Sequence, residues 1–130
     1  MTEEQAQFIE AWNGVAEQAY HNAFNKGFWD ARTRIEANAG AGLSDAARAA
    51  VDTQAIALVI CEAAEAIEAL RHGNPPDDKI PEFSGVEAEL ADVLIRIMDL
   101  ATGRGWRVAE ALVAKMSMNQ GREKLHGKSF

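Results

Sequence analysis

Glu62-x-x-Glu65 and Glu89-x-x-Asp92 are two acidic pairs whose spacing puts both carboxylates of each pair on neighbouring positions of one helical face. If the two helices that carry them pack face to face, four carboxylates converge, and mutual repulsion makes such a cluster a seat for a cation. Oxygen-only donors select a hard ion, Mg²⁺ with Mn²⁺ as its substitute, over zinc. A phosphate-handling metal site is therefore the leading chemistry, with Glu62, Glu65, Glu89 and Asp92 as its candidate ligands.

Glutamate-rich helices often carry acids three apart on a solvated face, so one pair alone means little. Here Glu62, Glu65 and Glu68 lie beside the strongest apolar stripe of their helix, and Arg71 is the obvious local partner of Glu68. On the other helix Glu89, Asp92, Arg96 and Asp99 share one strip. Arg96 can hold Asp92 or Asp99 in an intrahelical ion pair that orients ligands, or the strip is an ordinary surface ladder. A di-iron carboxylate bundle would need Glu-x-x-His on two helices, and the chain has none. His21, His72 and His126 show no ligand spacing, and the glycines form neither a phosphate loop nor a dinucleotide fingerprint.

Lys115, Asn119 and Arg122, at i, i+4 and i+7, line one face if their helix continues that far. Opposite an acidic metal cluster, such a strip suits a nucleotide polyphosphate, with Mg²⁺ neutralising some phosphate oxygens while Lys and Arg hold others. The plainer alternative is a solvated helix end, where cations complement the dipole.

The elements that must position these groups read as all-α. Thr2 caps a first helix running to about Asn25, with Phe8, Trp12, Val15, Ala19 and Ala23 at helical spacing and Gly27 as its stop. Residues 26–43 read as an irregular connector with room for one short helix. Ser44 is the expected cap of a second helix through Ile56, Val59, Ile60, Ala63, Ile67 and Leu70, ending at His72 and Gly73. The prolines of NPPDDKIP force a crossover, after which Ser84-x-x-Glu87 forms a capping box ahead of Leu90, Val93, Leu94, Ile97 and Leu100. A fourth helix, from about Trp106 to Asn119, is expected to bury Val108, Leu112 and Met116. No segment reads as a strand, and the architecture is a four-helix bundle-like protomer in one domain spanning residues 1–130.

The charge of −7 disfavours partners bound through phosphate neutralisation, so nucleic acid is not expected. No run of residues approaches a membrane span, and the single Cys61, among apolar residues, reads as a buried thiol in a reducing cytoplasm. A chain of 130 residues is short enough for neighbouring subunits to complete its core.

Over residues 56–128 the sequence resembles the MazG-like all-α nucleoside triphosphate pyrophosphohydrolases. The family pattern Glu-Glu-x-x-Glu, spacer, Glu-x-x-Asp is matched by CEAAE at 61–65 and ELAD at 89–92, with Cys61 in place of the first Glu. KMSMNQGR at 115–122 and HGK at 126–128 look like the family's Lys-x-x-x-Asn-x-x-Arg and His-Gly-Lys ending. The resemblance implies Mg²⁺ on Glu62, Glu65, Glu89 and Asp92, phosphate or sugar contacts from Lys115, Asn119 and Arg122, and cleavage between the α and β phosphates to give a monophosphate and pyrophosphate. It also implies a homodimer or dimer of dimers. No protein nucleophile is evident, so water must attack, with Glu62 or Glu65 taking its proton. Phe28 and Trp29 in the connector either stack a base, Trp29 foremost, or plug the end of the core. Phosphoribosyl-ATP hydrolysis and a catalytically silent helical interaction module are the competing functions.

Overall fold

Thr2 accepts a hydrogen bond from the Gln5 backbone N–H at 3.2 Å, and the Gln5 side chain accepts one from Thr2 N–H at 2.8 Å. This reciprocal capping starts α1 (Glu3–Asn25), and Gly27, with φ +82°, turns the chain out of it. Then come α2 (Asp30–Asn38), α3 (Ser44–Arg71), α4 (Gly85–Arg104) and α5 (Val108–Gln120). The computed structural model describes residues 1–122 of the chain, which hold five helices and no strand beyond an isolated bridge between Pro76 and Ser84.

The connector after α1 is more ordered than its sequence suggests, because α2 is held by charge rather than by an apolar stripe. Arg104 of α4, its side chain 9% exposed, donates from Nε to Asp52 of α3 at 2.7 Å and through its Nη groups to Glu36 of α2. Arg104 is the main reason that the Glu36 carboxyl sits below its ordinary range. Periodicity of hydrophobic residues has nothing to detect in such an element. Ser44 is not the cap of α3: Leu43 stands at that position in helical conformation, following Gly40 and Gly42 at positive φ, and Ser44 is already inside the helix. The box of Ser84 and Glu87 does start α4, which Gly105 ends at φ +67°.

α3 and α4 run antiparallel, as the pairings of Glu62 with Arg96 and of Asp52 with Arg104 require. Small residues let them approach: Ala55, Ala66, Ala88 and Ala101 are buried, and a Cβ on Gly85 would stand 3.0 Å from that of Ala69. The core centres on Trp29, Ala55 and Leu100, with Tyr20 packed against them. Gly103 is indispensable to it, since a Cβ there would lie 2.3 Å from the Trp29 ring.

Most of the large aliphatic side chains lie elsewhere. Ile56, Ile60, Ile67 and Leu70 are exposed in the single chain and, at about 100° per residue, share one face of α3 beside the buried face of Ala55, Glu62 and Ala66. Leu90 and Leu94 of α4 are likewise about half exposed. On α5 the expected burial is displaced by one position: Ala109 is the packed residue, against α1, while Leu112 and Met116 are exposed. Cys61 is also exposed rather than buried, on a different side of α3 from Glu62. No described helix is long and apolar enough to cross a membrane.

Candidate metal centre

The register of α3 against α4 brings Glu62, Glu89 and Asp92 together. One carboxylate oxygen of each lies within 4.8 Å of the others. Glu62 is buried, Glu89 half-buried and Asp92 exposed, so the cluster opens from the helix interface towards solvent. Glu65 is exposed and outside this trio, yet among neighbouring charges it is the one that most raises Glu89. Burial raises the Glu89 carboxyl first, and the negative charges of Glu65, Glu62 and Asp92 add to it. Such a carboxyl favours a proton or a cation. Three oxygen donors at this separation, with a fourth acid beside them, fit a hard divalent ion by the chemistry of the donor set.

Arg96 enters the cluster from an unforeseen direction. Instead of holding Asp92 or Asp99 on its own helix, it donates from Nε to Glu62 Oε1 across the interface at 2.5 Å. An arginine side chain is long enough to reach either way, and burial of Glu62 decides the matter, because an unpaired buried carboxylate costs more than an exposed one. Among the described residues Glu65, Glu89 and Asp92 have no ion-pair partner, whereas Glu68 pairs with Arg71 at 3.5 Å and with His72 at 2.9 Å.

Asp99 belongs to a different constellation. It accepts a hydrogen bond from the indole N–H of Trp29 at 2.7 Å and faces Arg32 at 3.9 Å. Burial pushes its carboxyl up, against the pull of Trp29, Arg32 and Arg96. Trp29 is therefore the plug of the helical core, 5% exposed, in edge contact with Tyr20 and with the Arg32 guanidinium over its ring at 4.7 Å. Of the two roles the sequence left open for Trp29, this geometry is that of the plug, with its N–H paired to Asp99 and its ring turned inward. Phe28, its neighbour, is the exposed one.

Glu62, Asp92 and Arg96 form one end of a cavity of about 540 Å³ between α1, α2, α3 and α4, to which Phe28 and Arg32 also contribute. No residue of α5 lines it. Lys115 and Asn119 are exposed on α5, which packs along α1, and Arg122 lies beyond the helix, which ends at Gln120. The three do not form one continuous helical strip, because Gly121 ends the helix before Arg122. His126 and the His-Gly-Lys ending lie outside the described residues. Asn22 and Gln54, two further polar groups of the cavity, were missed in the sequence because isolated amides carry no spacing signal. Comparison with protein-family models, with curated proteins and with solved structures yields no match to this chain.

Proposed function

We propose that this chain is a Mg²⁺-dependent nucleoside triphosphate pyrophosphohydrolase of the MazG-like kind, acting on a phosphoric anhydride bond between the α and β phosphates. The observation that carries the reading is the meeting of Glu62, Glu89 and Asp92 within 4.8 Å at the end of a cavity that also holds Arg96. In this reading Glu62, Glu89 and Asp92 hold the metal, with Glu65 at the margin of the set. Mg²⁺ bound there would polarise the scissile phosphate and lower the pKa of water. Of the two candidate bases, Glu62 is taken up by the metal in this reading, which leaves Glu65, exposed and without an ion pair among the described residues, to accept the proton of the attacking water. Arg96, released from Glu62, is a guanidinium in position to meet phosphate oxygens.

The reading includes a second copy of the chain. The exposed stripe of Ile56, Ile60, Ile67 and Leu70 is a face that association would bury, and Lys115, Asn119 and Arg122 are assigned to the substrate's phosphates or sugar from the neighbouring copy. A silent helical module is the competing reading, favoured by the Arg96 to Glu62 bond, which satisfies the buried acid without metal.

Pyrophosphate release from a panel of nucleotides, phosphoribosyl-ATP included, with and without Mg²⁺, tests the proposal. Release that needs Mg²⁺ and falls by about 10²–10⁴ in Glu65→Gln and Asp92→Asn supports it. Unchanged release in those variants ends the assignment of the reaction to this cluster, and release from no substrate favours the silent module.

A further inference from the structure

The cavity has two chemically different ends. At one stand Glu62, Asp92 and Arg96; Gln54, earlier on α3, marks the other, and Phe28, Asn22, Arg32, Asp99, Ala23, Ala31 and Ala55 also line the cavity. Phe28 is 68% exposed and makes no ring contact with another aromatic among the described residues, although Trp29 beside it is buried. The Asn22 and Gln54 carboxamides are exposed and make no hydrogen bond to another described residue, so both are open to a ligand. Gln54 precedes Glu62 by two turns of α3, about 12 Å along the helix axis. That span is comparable with the separation between the phosphates and the base of an extended nucleotide. A carboxamide offers a donor and an acceptor together, the pattern on the polar edge of a nucleobase, and alanines among the lining leave space beside them.

We infer that this second end is a base subsite, in which Phe28 stacks on the ring while Asn22 and Gln54 read its polar edge. The inference rests on the nucleotide-hydrolase reading and adds the residues that set substrate preference. Phe28 takes the stacking role that Trp29, turned into the core by Asp99, does not fill. The acids at the opposite end leave the triphosphate on their side, and the ring reaches the amides.

Calorimetric titration of the full chain in Mg²⁺ tests it, with α,β-methylene nucleoside triphosphates of the common bases and with inorganic tripolyphosphate as probes. The wild-type chain is expected to bind at least one nucleotide analogue about tenfold or more tightly than tripolyphosphate, the gain that stacking supplies. Phe28→Ala removes that gain and leaves tripolyphosphate binding unchanged, Phe28→Tyr retains it, and Asn22→Ala and Gln54→Ala narrow the spread among bases. A nucleotide advantage that survives Phe28→Ala, losses equal for both kinds of ligand, or no advantage in the wild type overturns the base subsite while the hydrolytic reading stands. Absence of binding by every probe removes both. Phe28 is at the surface, and unchanged far-ultraviolet circular dichroism of its variants separates lost binding from lost folding.

Discussion

Arg96 on α4 donates to Glu62 on α3 at 2.5 Å, and the carboxylate it meets is 10% exposed in its side chain while the arginine is 38% exposed. The buried acid of the metal cluster is thus paired with a charge of the protein's own, and a divalent ion must compete with that guanidinium for the same oxygens. Arginine can yield because much of its side chain lies in water, so losing the pair costs it little. Glu62 cannot yield in the same way, because without either partner it is a charge held in the helix interface.

Arg96→Met is therefore expected to destabilise the metal-free protein by about 1–3 kcal/mol, allowing for the exposure of Arg96. The melting temperature falls by roughly 4 °C per kcal/mol for a domain of this size. Saturating Mg²⁺ raises it more in the variant than in the wild type. Scanning calorimetry with and without Mg²⁺ checks this, and equal increments would mean that the guanidinium does not compete.

Arg104 ties α2 to α3 and α4 through Glu36 and Asp52. Arg104→Met leaves Asp52 without an ion-pair partner among the described residues and Glu36 with only the exposed Arg48, and is expected to cost about 3 kcal/mol in urea unfolding. Amides of α2 should lose hydrogen-exchange protection before those of α3, because charge pairs hold the shorter helix. Glu36 has a lowered pKa, so its contribution is present above the ordinary carboxylate range and is lost as pH falls through the lowered value. Urea midpoints across that acid range should show this slope in the wild type and not in Glu36→Gln.

Asp99 runs the other way. Its carboxyl is raised chiefly by burial, so its contribution to stability is complete below the ordinary aspartate range and is lost as pH rises through the raised value. Asparagine keeps an oxygen for the Trp29 N–H without carrying the charge. Relative to the wild type, Asp99→Asn should become more stable as pH climbs from below 4 towards neutrality. Urea midpoints at several pH values check the sign, and a difference that moves against Asn on that climb would show that the attraction of Arg32 outweighs desolvation.

What was legible in the sequence was local or rested on one helical period. Thr2, the Ser84 and Glu87 box, Gly27, Gly73 and the prolines of the crossover act on their own neighbours, so both ends of α1, the start of α4 and the break between α3 and α4 follow from them. The spacing of Glu62, Glu89 and Asp92 places them together once two helices face each other, whichever loop joins them. Partner choice was not legible. Arg96 has acids within reach on its own helix and on its neighbour, and only the depth of Glu62 distinguishes them. The same holds for Phe28 and Trp29, adjacent in the chain and equal in aromatic character, of which Trp29 has the N–H that Asp99 can draw inward. The connector had room for one short helix, but the bounds of the nine-residue α2 were not legible, because ion pairs, unlike buried leucines, leave no period. The stripe of Ile56, Ile60, Ile67 and Leu70 was legible as apolar, but its position on the outside of the chain was not, since the alanine face beside it was equally eligible to pack.

Gly103 leaves room for the six-membered edge of the Trp29 indole, and any side chain at all there would intrude upon it. Descent with modification cannot treat these two positions separately. An alanine or serine at 103 becomes tolerable only in a lineage whose residue 29 has first shrunk, and such a shrinkage would also leave Asp99 without its indole partner. The three sites thus form one heritable unit, able to drift together and poorly able to drift apart.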